Sequence, residues 1–352
     1  MPEPSARAQQ VDAFRNQVGS CRDAGSDYTA RLMQACADDL EAGGPLARLL
    51  EGWQGHPTLD ALTQRVLGAV QQLALEGRAP ELASQMPSLG GAPRWPDAAR
   101  AFLAVIEREG AALRPRLDEQ VQTNEVRRCA GLLGGFLEAA RSGLPLRLLE
   151  FGSSGGLHLF WDRYCYRLGP HRWGAPDAPV QIDAEWRGGA PALDAPVRIA
   201  SRQGCDLHPL DLRDPDRVRR VESFLWCDQV DRPRLLRAAA AALPPEGAPI
   251  ERGAAGDFLA RELAAPRPGV ATVVFHCHTW WYLPEAERER IQSSFARAGA
   301  RASEAAPLFW LRSEPPSLEC AELRLRAWPG GEDRLLARAH HHARWVEWRG
   351  AD

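Results

Sequence analysis

Apolar residues recur every three to four positions through the first third of the chain. Leu32, Met33, Cys36 and Leu40 fall on one face of residues 28–40, near the helical period. Similar spacing runs through residues 11–18, 46–53 and 59–75, with Gly and Pro between them as breaks. Residues 96–108 and 111–117 complete the set, and Pro96 suits a first helical position, where its missing N–H costs nothing. β-Branched runs are scarce here, so residues 1–118 are expected to form an all-helical domain or cap. A long helix is expected over 124–142. There Val126, Cys129, Leu132, Leu133, Phe136, Leu137 and Ala140 share a face, and Gly143 and Pro145 supply the stop.

The pattern then changes. Residues 146–151 are a short apolar strand, 152–156 a glycine-rich turn and 157–163 a helix. Residues 169–196, rich in Pro, Gly and Trp, read as an irregular insertion or a β-hairpin. Strands are expected at 198–205, 250–252, 270–276 and 308–312, with helices at 216–225, 232–243, 258–263 and 284–299. Residues 270–276 are the clearest buried strand, and the Glu-rich start of 284–299 suits a helix amino end. Residues 322–328 and 333–339, followed by 344–348, read as a closing antiparallel hairpin. Alternating strands and helices imply an α/β fold with a mostly parallel sheet covered on both faces. Residues 119–352 are therefore expected to be Rossmann-like. The terminal hairpin after the last crossover makes them like a class I methyltransferase.

The composition is that of an ordinary folded protein: 352 residues, 45% hydrophobic and 25% charged. A net charge of −3 lacks the basic footprint of a nucleic-acid binder. Met1-Pro2-Glu3-Pro4-Ser5 is followed by no apolar run, so no signal peptide is expected. No stretch of roughly 18 apolar residues suggests a membrane span, and a cytoplasmic location follows as the expectation. The eight Cys form no C-x-x-C pair; they are expected to be reduced, with no metal site. All 43 basic residues are Arg, which excludes a P-loop lysine, a lysine Schiff base and a kinase-type lysine.

The junction Leu148-Leu149-Glu150-Phe151-Gly152-Ser153-Ser154-Gly155-Gly156 is the candidate cofactor turn. Glycine permits a tight bend and close approach of a ligand to the main chain. Free N–H groups at the start of a following helix would offer hydrogen bonds and a positive dipole end. Glu150, at the strand end, would take an amine or hydroxyl. The spacing E-x-G-x-x-G-G fits an S-adenosylmethionine motif better than the dinucleotide fingerprint. A Gly turn between strand and helix is also often only a turn.

Asp206 is the candidate acid for a ribose diol, although it lies much further on than the roughly 20 residues of a simple Rossmann unit. It reads equally well as a turn residue. Asp257 is a candidate for an adenine amine, or a plain helix cap. His276 ends the best strand, where open α/β sheets bind ligands, and is the candidate general base. His278 would share its face if the strand continued. The tract His340-His341-His342 lacks a carboxylate at a fixed offset, so no metal is expected there.

Longer motifs also stand out: Gly43-Gly44-Pro45-Leu46, Val121-Gln122-Thr123-Asn124-Glu125-Val126 and Leu149 through Leu157. With them go Trp161-Asp162-Arg163-Tyr164-Cys165-Tyr166, Trp186-Arg187-Gly188-Gly189 and Gly204-Cys205-Asp206-Leu207-His208-Pro209-Leu210-Asp211. Phe275-His276, Tyr282-Leu283-Pro284, Trp328-Pro329-Gly330-Gly331 and Arg344-Trp345-Val346 complete the set. On these the chain resembles a bacterial family of uncharacterised proteins, the domain of unknown function 2332 family, over nearly its full length. The resemblance implies a methyltransferase-like fold and no particular activity. It differs from the family's usual pattern at Gly155, His158, His208 and Cys277.

The leading expectation is an S-adenosylmethionine-dependent methyltransferase acting on a small molecule. Glu150, Gly152, Ser153, Gly155, Asp206 and Asp257 would bind the cofactor, with His276 on the acceptor. The N-terminal helices would cap the sheet edge. Two rivals stand beside it. One is a non-catalytic Rossmann-fold binding or scaffold protein; the other is an enzyme using the same cleft for another nucleotide or for intramolecular alkylation.

Overall fold

The computed structural model describes residues 5–317 and 319–350. Met1–Pro4, read above for a signal, lie outside the described residues. The helices α1 (Ala6–Asp23), α2 (Asp27–Ala42), α3 (Pro45–Leu49), α4 (Leu62–Leu75), α5 (Pro80–Ala83) and α6 (Asp97–Leu113) come first, then α7 (Arg128–Ala140). Next are β1 (Leu146–Phe151), β2 (Cys165–Leu168), β3 (His171–Trp173), β4 (Gln181–Arg187) and β5 (Ile199–Asp206). The chain continues through α8 (Pro215–Ser223), α9 (Asp231–Ala241), β6 (Ile250–Arg252), α10 (Ala255–Glu262), β7 (Ala271–Cys277) and α11 (Glu285–Gly299). It closes with β8 (Leu308–Glu314), β9 (Ala321–Trp328), β10 (Glu332–Ala339) and β11 (Trp345–Trp348).

The chain forms two compact units. One joins the described residues up to Thr123 with Pro215–Arg234. Its helices are capped and stopped as their sequences direct. The Ser5 hydroxyl accepts from the Ala8 N–H at the start of α1, and Gly43 ends α2 in the left-handed conformation. Phe14, Leu32, Met33, Val66, Val70 and Phe102 bury in one core, which also takes in Trp226 and Cys227. Asp228 fixes the returning segment: its carboxylate accepts from the Ser26 hydroxyl at 2.6 Å and the Tyr28 N–H at 3.2 Å. Residues 216–225, expected within 119–352, group instead with this unit, where Gln71 of α4 donates to the Ser223 and Leu225 carbonyls. Their partners in this core are sequence-distant, and helical periodicity does not reveal such partners.

The other unit, Asn124–Asp214 with the described residues from Leu235 onward, is a mixed α/β structure. Its eleven-stranded sheet has the order β3-β2-β4-β11-β10-β9-β8-β7-β1-β5-β6. From β6 through β5, β1 and β7 to β8 every pairing is parallel, and these strands are separated by helices or long crossovers. β8, β9 and β10 then form an antiparallel meander. Within the parallel part, strand order reverses direction at β1: after β2–β4 are laid down at the far end of the sheet, the chain adds β5 and β6 on one side of β1, then β7 and β8 on the other.

β1 and β7 are buried along their whole length, as expected of strands covered on both faces. One face packs on α10 and α11, with Leu149, Phe151, Val274, Phe258, Ile291, Phe295 and Trp310 in one cluster. The other face meets α7, where Phe136 stands edge-on to Phe275 with ring centroids 4.9 Å apart.

Two expectations need correction. Residues 157–163 are not an α-helix but a 3₁₀ segment, with Phe160 outside helical backbone angles. Of the two readings of residues 169–196, the hairpin stands and the irregular insertion does not: β3 pairs with β2 as a hairpin, and β4 joins β2 to β11 of the main sheet. The expected closing hairpin, β9–β10, is present, but the chain runs on. β11 pairs antiparallel with β10 and parallel with β4, so it lies inside the sheet.

Candidate functional site

The carboxyl ends of β1, β5, β7 and β8 gather most of the residues singled out by sequence. The pleat divides them. Phe151 stacks on His276 at 4.3 Å, on the face carrying α10 and α11. Glu150 is one residue earlier, opposite Phe275 and Gly204, so it projects from the other face. Glu150 and His276 therefore sit on opposite sides of the sheet, meeting only over the strand ends.

The glycine turn is tight and closely covered. Gly152 and Gly156 have φ values of 68° and 71°, the left-handed region that glycine tolerates best. A side chain at Gly152 would meet Thr279 Cγ2 at 2.4 Å, and one at Gly155 would meet Leu212 at 2.2 Å. At Gly156 it would meet Ala248 at 2.7 Å. Side chains of this protein thus lie against each glycine. The N–H groups expected to be open are largely engaged. Ser153 N–H donates to the Cys205 carbonyl at 3.1 Å, Gly156 N–H to the Ser153 carbonyl at 2.7 Å, and Ser154 N–H to Asp206 Oδ2 at 2.8 Å. Because a 3₁₀ segment follows, the anticipated α-helix dipole is missing as well.

Asp206 is nearly buried and acts on the backbone. Oδ2 accepts from Ser154 and Oδ1 from the His208 N–H, both at 2.8 Å, so it clamps two turns together. Ser153 is buried, its hydroxyl donating to the Glu150 carbonyl at 2.9 Å. Asp257 lies apart from this group: its exposed carboxylate pairs with Arg290 on α11. It sits within the first turn of α10 and is not the cap, a position occupied by Ala254.

Sequence reasoning missed the partner of Glu150. His158 Nδ1 lies 3.1 Å from Glu150 Oε1, and its Nε2 lies 3.0 Å from the Glu125 carbonyl oxygen. A carbonyl only accepts, so Nε2 carries a proton, and the Nδ1–Oε1 contact needs one more. Burial pushes the Glu150 carboxyl above its ordinary range; His158 opposes that and the Asp206 charge adds to it. A raised native pKa gives stability that is complete below the unfolded value and is lost as pH rises through the folded one.

Glu150→Gln places an amide N–H on His158 Nδ1 and removes that titration. The variant should gain on the parent as pH rises from 5 to 8. Urea unfolding at both pH values measures it. A difference independent of pH would remove the proposed origin.

His276 is fully buried, and its ring also faces Trp280 at 5.6 Å. Its Nδ1 lies 2.7 Å from Glu314 Oε1, a second residue that sequence missed. Ending β8 at residue 312 left Glu314 beyond the strand. His278 does not share the face of His276. The strand stops at Cys277, and His278 turns through a φ of 53° toward His341, with ring centroids 5.6 Å apart. Burial, then Arg128 and His341, hold its pKa well below the ordinary imidazole value.

Five buried atoms around these strand ends have no hydrogen-bond partner: Asn124 Nδ2, Glu150 Oε2, Ser154 Oγ, His276 Nε2 and Glu314 Oε2. Most buried polar groups are paired, so such a concentration marks a place with chemistry to perform or a ligand to hold. Among the described residues no group of three or more His, Cys, Asp or Glu side chains is arranged to hold a metal ion. No described helix is long and apolar enough to cross a membrane.

Fold and site together define a mixed α/β protein with a polar cluster at the carboxyl edge of a largely parallel sheet. The chain belongs to the family of uncharacterized proteins conserved in bacteria, DUF2332, whose model matches residues 11–348. No curated protein and no solved structure matches it.

Proposed function

We propose that the α/β unit is a Rossmann-like, class I methyltransferase-like domain that binds an S-adenosyl compound and methylates a small molecule. One observation carries this reading: the strand order reverses at β1, and the glycine turn lies at that reversal. Open α/β sheets bind nucleotides in the crevice at such a point. Glu150, Gly152, Ser153, Gly155 and Asp206 would line the cofactor, and His276 would meet the acceptor. The donor set suits an adenosyl compound in part. Glu150 Oε2 is an unpaired acceptor for an amine or hydroxyl, and Ser154 Oγ is an unpaired hydroxyl. Entry requires the segment from Thr279 to Leu283 to move off Gly152.

The close packing favours a second reading, a non-catalytic protein that keeps the same core. Every glycine of the turn has a side chain against it, and both Asp206 oxygens accept from backbone N–H groups.

A thermal shift with S-adenosylhomocysteine separates the two. At about 100 times its dissociation constant a specific ligand adds roughly 2.7 kcal/mol to the unfolding free energy. A shift that Gly152→Val abolishes supports the enzyme. The absence of a shift at millimolar ligand leaves the non-catalytic reading.

A further inference from the structure

Glu314 Oε1 accepts from the Thr279 N–H at 2.8 Å and lies 2.7 Å from His276 Nδ1, a contact that needs one proton. A carboxylate oxygen that already accepts a backbone N–H is favoured in its ionised form. The proton is therefore assigned to Nδ1, which makes the ring the other donor to Oε1. Around the ring lie Phe151, Trp280 and Trp310, and Nε2 has no partner. A protonated Nε2 would be a buried donor with no acceptor, so the neutral ring with a bare Nε2 is the form this packing selects.

The second donor connects this ring to the turn. Thr279 follows His278, whose φ of 53° is uncommon for a residue with a side chain. The Thr279 side chain packs on Gly152, and the segment continues to Trp281 and Tyr282, which are 53% and 62% exposed. One carboxylate oxygen thus holds both the imidazole and the first peptide of the segment covering the glycine turn.

We propose that Glu314 is a positioning residue: it fixes His276 as the Nδ1–H tautomer with Nε2 as proton acceptor, and through Thr279 it latches the 279–283 segment over Gly152. When the segment opens, Trp280 leaves the ring and Nε2 meets the ligand. The ligand class is set by the acceptors present. Nε2 and Glu314 Oε2 both lack donors, so the acceptor molecule presents N–H or O–H groups, as an amine or a hydroxyl compound does. If an S-adenosyl compound supplies the methyl group, Nε2 would take the proton released from the acceptor's N–H or O–H, and Glu314 would balance the imidazolium charge.

The inference rests on the reading of His276 as the residue facing the acceptor, yet its test needs no nucleotide. Long-range ¹⁵N–¹H spectra of the histidine-labelled protein report each ring's tautomer, with His276→Gln identifying the signal. The parent should show His276 neutral and protonated at Nδ1. Glu314→Ala should shift it toward the Nε2–H form, and should raise chymotrypsin cleavage at Trp281 and Tyr282 by roughly tenfold, as expected for the loss of a charge-assisted hydrogen bond. Glu314→Gln keeps an acceptor oxygen and should restore both. A parent spectrum with Nε2 protonated overturns the proposal. An alanine variant with unchanged tautomer and cleavage does so too. If the alanine variant fails to fold, the parent and Gln spectra still decide it. Failure of S-adenosylhomocysteine to bind leaves this result untouched.

Discussion

Phe136→Ala is expected to lower the unfolding free energy by about 3–5 kcal/mol, the range for deleting a fully buried aromatic ring. Phe136 is wholly buried on α7. Its ring stacks on Trp161 at 4.4 Å with the planes 2° apart, and meets Phe275 of β7 edge-on. It therefore joins the helix, the 3₁₀ segment after the glycine turn and the sheet. The helix has little freedom to close the resulting void. Gly134 sits under the Trp348 ring and Gly135 under Leu311, so both backbone positions are already in contact. Phe136→Leu, which retains most of the volume, should cost about 1–1.5 kcal/mol. Urea unfolding of both variants checks this. Equal losses would mean that filling the volume matters less than argued and that the stacked ring itself carries the effect.

Glu262→Ala should cost about 3 kcal/mol, because it leaves a buried cation without its counter-charge. Arg147 of β1 is almost entirely inaccessible. It donates to the Glu262 carbonyl oxygen at 3.1 Å and pairs with the Glu262 carboxylate. Burial, and after it the neighbouring Arg267 charge, hold the Arg147 guanidinium below its ordinary range, while Glu262 acts in the opposite direction. Replacing both partners removes the problem rather than exposing it. Arg147→Met together with Glu262→Ala should recover a large part of the single-variant loss. A double-mutant cycle measures the coupling. Additive losses would show that Arg147 is solvated when Glu262 is removed.

What was legible in the sequence was local. Residues 250–252 and 322–328 announced their strands by composition and spacing, α2 and α4 announced themselves by helical period, and α11 by its Glu-rich start. The parallel succession of β1, β5 and β7 followed from alternation alone. What was illegible depends on contacts between distant residues. The spacing E-x-G-x-x-G-G identified the bend, but not that Asp206 would occupy the Ser154 N–H or that Thr279 would lie on Gly152. Glu150 and His276 were grouped because both end strands. Only the register of Glu150 opposite Phe275 places them on opposite faces. Glu314 and His158 escaped notice because each is defined by its partner, and neither lies in a spaced motif. β4 was hidden in a Pro- and Gly-rich stretch, and the neighbour that joins it to the main sheet, β11, comes near residue 345.

That last pairing bears on how the chain is made. A ribosome delivers residues in order, at about 5–20 per second, so β4 emerges roughly 8–30 s before β11. Throughout that interval the β2–β3–β4 ribbon has nothing on its inner edge, and β10, once made, has no neighbour beyond it until β11 follows. Unpaired edges of this kind recruit other strands, in the same nascent chain or in another. The sheet becomes continuous only when Trp345–Trp348 slides between β10 and β4, which makes these four residues the keystone of its assembly.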